Sequence, residues 1–284
     1  MDDKISFLVP GWKRILLLVC AVLLGFAIGN IIIALLIHLK GSTPAIMRIS
    51  AVLQDVFMFI LPAIVTAVFV TRLPAQFLCI DKKPRWGAAL AACVILLLSV
   101  PAMNALVAWN EGLKLPESMA AWEESMRQAE EAAQAAVSVL IGGKSIGSLV
   151  VSILIVGVFA GFSEEIFFRG AFQRLLSTSG VNAQAAVWIV AFVFSATHLQ
   201  FYGFFGRLLL GAYFGYLLIW TRNLWIPIIV HIFNNTVYIV GEYITMNSDN
   251  AVEINSFGSD KIALIIASVV WTALGIYYFR KRFR

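Results

Sequence analysis

Glu164 and Glu165 stand side by side in the stretch GFSEEIFFRG, interrupting an otherwise apolar run from Ser145 to Phe168. A carboxylate at membrane depth costs roughly 2.5–3.5 kcal/mol even on the lenient insertion scale, so two adjacent ones need partners, water or a chemical task. The chain has 3 histidines, and two of them, His198 and His231, also lie inside apolar segments. Three short patterns result. Glu164, Glu165 and Arg169 form E-E-x-x-x-R, Phe194 and His198 form F-x-x-x-H, and His231 and Asn235 form H-x-x-x-N. Residues four apart share one helix face, so Glu165 lies over Arg169 and an ion pair there would anchor the first pattern. Glu164 is turned about 100° from Glu165, which lets one carboxylate hold structure while the other faces a cavity. His231 and Asn235 point the same way and could grip one oxygen atom jointly.

A carboxylate and an imidazole can hold and deprotonate a water, and a second imidazole with an amide can stabilise an oxyanion. Together these are the parts for amide hydrolysis without a covalent intermediate. Two histidines and a glutamate also suit zinc, with Glu164, His198 and His231 as the candidate ligands. No H-E-x-x-H is present, so no single helix supplies two histidine ligands. Each piece alone has a plainer reading. An isolated intramembrane histidine is a helix-packing hydrogen bonder, Asn235 beside Asn234 is interhelical glue, Phe194 is core, and Asp55 is a lone structural acid. As a set, intramembrane ionisable groups are functional by default.

The elements that must position these groups follow from composition. The chain has 284 residues, 61% of them hydrophobic and only 13% charged, with a mean hydropathy of +0.88. A soluble domain has about 45–50% apolar and about 25% charged residues. An all-α, polytopic membrane bundle is therefore expected, as a single integral membrane domain over 1–284. A span takes about 20 apolar residues. About eight segments qualify or nearly so: 15–39, 49–70, 86–109, 145–168, 185–199, 204–220, 224–244 and 262–279, the fifth and sixth being short. The first run is too long for a signal-peptide core and lacks a small-residue cleavage site after it.

The net charge of +5 does not point to nucleic acid, because the basic residues flank apolar segments as orientation signals do. With the N-terminus inside, 14 of the 21 Lys and Arg residues fall on the inner side, among them Lys4, Lys13, Arg14, Arg72, Lys82, Lys83, Arg85, Arg174, Arg222 and Arg280. Ten acids fall outside, including Asp249 and Glu253, against Asp2, Asp3 and Asp81 inside. Both termini are expected in the cytoplasm. The long outer stretch 110–144 places Met119, Trp122, Met126, Ala129, Ala133 and Val137 at helical spacing, opposite Glu123, Glu124, Gln128, Glu130 and Glu131. That is an amphipathic helix, lying on the outer surface or, in a sharper reading, acting as a lid. Gly25/Gly29, Gly157/Gly161 and Gly211/Gly215 permit close helix approach. Cys20, Cys79 and Cys93 have no CxxC spacing and read as small buried hydrophobes.

The ordered set E-E-I-F-F-R-G-A-F-Q-R-L, F-S-A-T-H-L and N-L-W-I-P-I-I-V-H-I-F-N-N resembles the family of CAAX proteases and bacteriocin-processing enzymes, also called the Abi family. The resemblance covers about Gly161–Asn235, within an expected catalytic core of about 145–245. It implies an intramembrane endopeptidase in which Glu164 activates water, His198 assists, His231 and Asn235 form the oxyanion hole, and Glu165, Arg169 and Phe194 support them. The family is often labelled metal-dependent, yet its architecture also fits a glutamate-dependent, metal-free mechanism; the favoured mechanism requires no cofactor, with zinc as the alternative. The implied partners are membrane lipids and a peptide or protein substrate, and the implied location is a bacterial inner membrane. Two other classes share the buried acids and histidines: a proton-coupled transporter, and a non-catalytic immunity or scaffold protein.

Overall fold

A computed structural model describes residues 6–248 and 256–284. The expected charges at Asp2, Asp3, Lys4, Asp249 and Glu253 lie outside the described residues. Among the described residues there is no β-strand, only an isolated antiparallel bridge between Phe7 and Thr71. The helices are α1 (Gly11–Lys40), α2 (Pro44–Val70), α3 (Trp86–Glu111), α4 (Ala120–Ile141), α5 (Ile146–Thr178), α6 (Ala183–Ala196), α7 (Phe204–Thr221), α8 (Trp225–Asn247) and α9 (Ile262–Phe283).

Helices occupy all eight apolar segments expected from the sequence, but they are not equal, and the fifth ends at Ala196 so that His198 lies in the turn beyond it. Among the described residues six helices are long and apolar enough to cross a membrane: α1, α2, α3, α5, α9 and the stretch Phe201–Thr221 that contains α7. Helix α6 is apolar but short. Its 14 residues rise about 21 Å, against about 30 Å of hydrocarbon. Helix α8 is long enough, yet it carries His231, Asn234, Asn235 and Glu242. The long apolar helices make this an integral membrane protein.

Among the described residues three stretches of π-helix interrupt the bundle: Val56–Ile60 in α2, and Ile153–Phe159 and Ile166–Gln173 in α5. The last two leave only Ala160–Glu165 as α-helix between them. Such π segments concentrate at functional sites, and this pair brackets Glu164 and Glu165. Asp55 is the residue immediately before the π segment of α2.

The two turns that set the height of the site are tied to neighbouring loops. The α5–α6 turn is held by Arg14, whose Nη1 donates to the Thr178 carbonyl at 3.2 Å, and by Ser179, whose hydroxyl donates to the Gly11 carbonyl. The α7–α8 turn passes through Arg222 in the left-handed region (φ 48°). There the Leu224 amide donates to the Cys79 carbonyl and Asn223 donates to the Lys83 carbonyl. Arg174, one helical turn inside the end of α5, donates to the Phe77 carbonyl of the same 77–83 loop.

Helix α4 corrects one expectation. Trp122 and Met119 point away from the protein, 67% and 42% exposed. The half-buried face instead includes Glu123, Arg127 and Glu130 beside Met126, Ala133 and Val137. Polar partners explain the rotation. Glu123 pairs with Arg127 at 2.7 Å and accepts the Leu115 amide. Arg127 lies over the Tyr202 ring, and Glu130 accepts from Gln200 at 2.8 Å. Arg48 of α2 clasps the far end through the Leu140 and Gly142 carbonyls. Cys20 also differs, lying exposed on α1 while Cys79 and Cys93 are buried.

At Gly25 of α1 a side chain has no room, because a Cβ would overlap the carbonyl oxygen of Phe57 in the α2 π segment. Overpacking at such a contact costs typically about 1–3 kcal/mol. Gly25→Ala is therefore expected to lower the thermal unfolding midpoint in detergent, while Gly87→Ala, with nothing near its Cβ, leaves it unchanged. The Glu123 carboxylate is held below its ordinary range, first by the hydrogen bond from Arg127 and then by the Leu115 amide. A depressed value means that this cap stabilises above the ordinary carboxylate range and is lost as pH falls through it. Hydrogen exchange of the 113–119 segment is expected to rise on acidification below about pH 4, beyond the intrinsic pH effect. Glu123→Gln removes that dependence.

Candidate active site

The two adjacent glutamates have separate environments. Glu165 is fully buried and its Oε1 accepts two hydrogen bonds, from Arg169 Nη1 at 2.6 Å and from His231 Nδ1 at 2.9 Å. The first closes the expected i,i+4 pair on α5, and the second ties α5 to α8. Arg169 is also fully buried. Its Nη2 donates to the Gly211 carbonyl of α7 at 2.9 Å, and its guanidinium lies 4.6 Å from the Phe194 ring centre and 5.3 Å from that of Phe214. Four residues along, Gln173 donates to the Gly215 carbonyl at 3.1 Å. Two glycine carbonyls on α7 therefore take two rungs from α5. A Cβ at Gly215 would come within 2.8 Å of Gln173 Oε1, so the small-residue spacing has a local reason.

Glu164 keeps 17% of its side chain exposed and accepts no hydrogen bond from the described residues; its carboxylate stands 3.8 Å from His231 Nε2. His198 follows α6 by two residues, its Nδ1 donating to the Phe194 carbonyl at 2.8 Å and its ring edge-on to Phe194 at 5.1 Å. His198 lies within electrostatic reach of Glu164 and of His231. The next residue, Leu199, has φ 55° and an 80% exposed side chain. A non-glycine residue in that region is strained, and such strain collects at functional sites. The Phe214 ring stacks on His231 at 4.8 Å.

Glu164, Glu165, Arg169, Phe194, His198 and His231 thus come together. Asn235 stands one turn further along α8, where its amide donates to the Val156 carbonyl at 3.1 Å and its oxygen accepts from Asn234. It is bonded across to α5 rather than pointing freely with His231. Its second amide hydrogen is not used by these bonds. Sequence reasoning missed Phe214, Gln173, Gly211 and Gly215 as contributors, and Ser163, whose hydroxyl donates to Asp55 at 3.1 Å. The Gly211/Gly215 spacing was the one available signal, but it fixed no partner.

The hydrogen bonds assign protons. A carbonyl accepts only, so His198 Nδ1 carries hydrogen and the neutral ring leaves its Nε2 lone pair free. An ionised Glu165 also accepts only, so His231 Nδ1 carries hydrogen too. Among the described residues no group of three or more His, Cys, Asp and Glu side chains is placed to hold a metal ion.

Residues 146–237 match the family model of type II CAAX prenyl endopeptidase, Rce1-like. The match supports the class of membrane-embedded endopeptidases. It runs from the first residue of α5 into α8, contains all three motifs, and bears out the family resemblance carried by those motifs; α1 to α4 and α9 lie outside it. No curated protein and no solved structure matches the chain.

Removing the positive partner of a fully buried carboxylate costs about 3–5 kcal/mol, because the remaining charge is left unpaired. Arg169→Met is therefore expected to lower the unfolding midpoint of the purified protein sharply. The double variant Arg169→Met/Glu165→Met, with no charge left unpaired in the pair, recovers much of that stability.

Proposed function

We propose that this protein is an intramembrane endopeptidase in which Glu164 activates the water that cleaves the peptide bond. The observation that supports it most is the division of labour between the two glutamates. Glu165 is bonded on one side by Arg169 and His231, whereas Glu164 is left partly exposed beside both imidazoles with no hydrogen-bond donor of its own. A charge kept in such a place is poised to accept a proton.

A water between Glu164 and His198 has two acceptors for its two hydrogens, the Glu164 carboxylate and the free Nε2 of His198. As its oxygen attacks the peptide carbonyl carbon, Glu164 takes one proton, and the carbonyl π electrons move to oxygen. His231 can offer Nε2–H to that oxyanion as the doubly protonated ring, with Glu165 facing its other side. The spare amide hydrogen of Asn235 is the second donor. Collapse of the tetrahedral intermediate breaks the C–N bond, and the leaving amine takes the proton held by Glu164. Each step uses side chains of this chain alone.

The substrate in this reading is a peptide or protein segment that reaches the site from the lipid or from the protein surface. The basic residues around the α5–α6 and α7–α8 turns support a cytoplasmic placement of that end, and of both termini, in a plasma membrane.

General base removal typically costs about 100- to 10,000-fold in rate. Glu164→Gln is expected to lower cleavage of a membrane-reachable peptide reporter in proteoliposomes by at least that lower factor, with the folded protein recovered in normal yield. His198→Ala is expected to reduce kcat by a similar order. Wild-type cleavage by Glu164→Gln would sink the proposal.

A further inference from the structure

Helix α4 lies outside the matched segment 146–237, yet its inward polar face rests on the loop that carries His198. That loop, 197–203, joins α6 to α7. Helix α6 ends at Ala196, and the His198 amide reaches back only to the Ser195 carbonyl, at a long 3.3 Å. Leu199 follows in the left-handed region (φ 55°), and its side chain, 80% exposed, is too open to solvent or lipid to hold it there. A leucine keeps such a conformation only where its surroundings over-determine it.

The surroundings that do so converge on Gln200. Its side-chain amide donates to Glu130 Oε1 of α4 at 2.8 Å, and its carbonyl accepts from Arg207 Nη2 of α7. Arg207 folds back so closely that a Cβ on Gly203 would come within 2.6 Å of its Nη1. Two residues beyond Gln200, the buried Tyr202 ring lies under the Arg127 guanidinium of α4 at 4.5 Å. Residues three apart share a helix face, so Arg127 and Glu130 grip residues 202 and 200 from one side of α4. At the base of the loop the Ser195 hydroxyl donates to the Phe204 carbonyl at 2.7 Å.

We propose that Glu130 and Gln200 are positioning residues: the hydrogen bond between them braces the 198–200 turn against α4 and so fixes where the His198 ring stands. This rests on the reading of His198 as the group that holds the attacking water. The Phe194 carbonyl fixes the ring through its Nδ1, whereas the tie to α4 fixes the backbone that carries the ring. The stakes are large, since a misplacement of about 1 Å at a reacting group can cost about 100-fold in rate. Helix α4 is in this reading a strut for the site, a part that the matched segment alone does not contain.

The test asks whether α4 acts through His198. Cleavage of the membrane-reachable peptide reporter is measured in proteoliposomes, with kcat and KM determined separately. Glu130→Ala and Gln200→Ala are each expected to lower kcat about tenfold with KM within about twofold of the parent. The double variant is expected to lose no more than either single one. Glu130→Gln keeps an oxygen that accepts from Gln200 and is expected to stay within about threefold of the parent kcat. In a His198→Ala background the positioned group is gone, so Glu130→Ala is expected to change the residual kcat by less than about twofold, where a merely structural role would lower it again by the full factor. Hydrogen exchange of the 198–203 amides is expected to quicken in Glu130→Ala and to stay parent-like in Glu130→Gln. Parent-like kcat in both alanine variants overturns the inference, as does equal loss in Glu130→Ala and Glu130→Gln, or a loss that multiplies with that of His198→Ala. Should Glu130→Ala fail to fold, Gln200→Ala decides the question, alone and in the His198→Ala background. His198→Ala by itself separates the two ideas. If it cleaves as the parent does, the reading of His198 falls and this inference with it; if it is impaired while both alanine variants behave as the parent, only the role of Glu130 and Gln200 falls.

Discussion

One carboxylate oxygen, Glu165 Oε1, organises this protein. It accepts from Arg169 on its own helix and from His231 on α8, and Arg169 continues the chain to the Gly211 carbonyl of α7. Three helices are thereby locked at one height through a fully buried ion pair. Such a pair is weak evidence for stability in itself, because desolvating two charges costs several kcal/mol per ion. Its value here is specificity. No other register of α5, α7 and α8 brings Arg169, Glu165, His231 and the Gly211 carbonyl together, so the network selects one arrangement among many apolar packings of similar energy.

The same network decides protonation. By accepting at Nδ1, Glu165 fixes the face of His231 and leaves Nε2 turned towards Glu164. The Phe194 carbonyl does the equivalent for His198. Phe194 thus acts through its backbone oxygen as well as its ring, which lies under the Arg169 guanidinium. Aromatic faces at Phe194 and Phe214 offset part of the desolvation of that guanidinium, and Phe214 also stacks on His231. The apolar residues of the site are thus electrostatic partners.

Much of the framework was legible in the sequence because its causes are local or periodic. Apolar runs marked the helices, the i,i+4 spacing gave the Glu165–Arg169 pair, and three short patterns named the side chains that meet. What was not legible depends on contacts between segments far apart in the chain. The rotation of α4 was misjudged because Glu123, Arg127 and Glu130 find partners at Leu115, Tyr202 and Gln200, and a hydrophobicity pattern prices them as solvent-facing. Asp55 looked isolated because Ser163 is 108 positions away. Nor does the spacing of Asn235 from His231 reveal that the Val156 carbonyl takes one of its amide hydrogens. The π segments have no compositional mark, and they change which residues share a face on either side of the glutamates.

The shortness of α6 bears on how a hydrolase in lipid obtains its other reactant. The helix rises about 9 Å less than the hydrocarbon thickness, and Trp188, Ile189 and Phe192 are exposed on its flank. A bilayer meets such hydrophobic mismatch by thinning beside the short element. His198 sits at the end of α6 where the thinning would fall. The membrane surface itself would then dip to the depth of the glutamate, so that water arrives from a dimple in the bilayer instead of a channel through the protein.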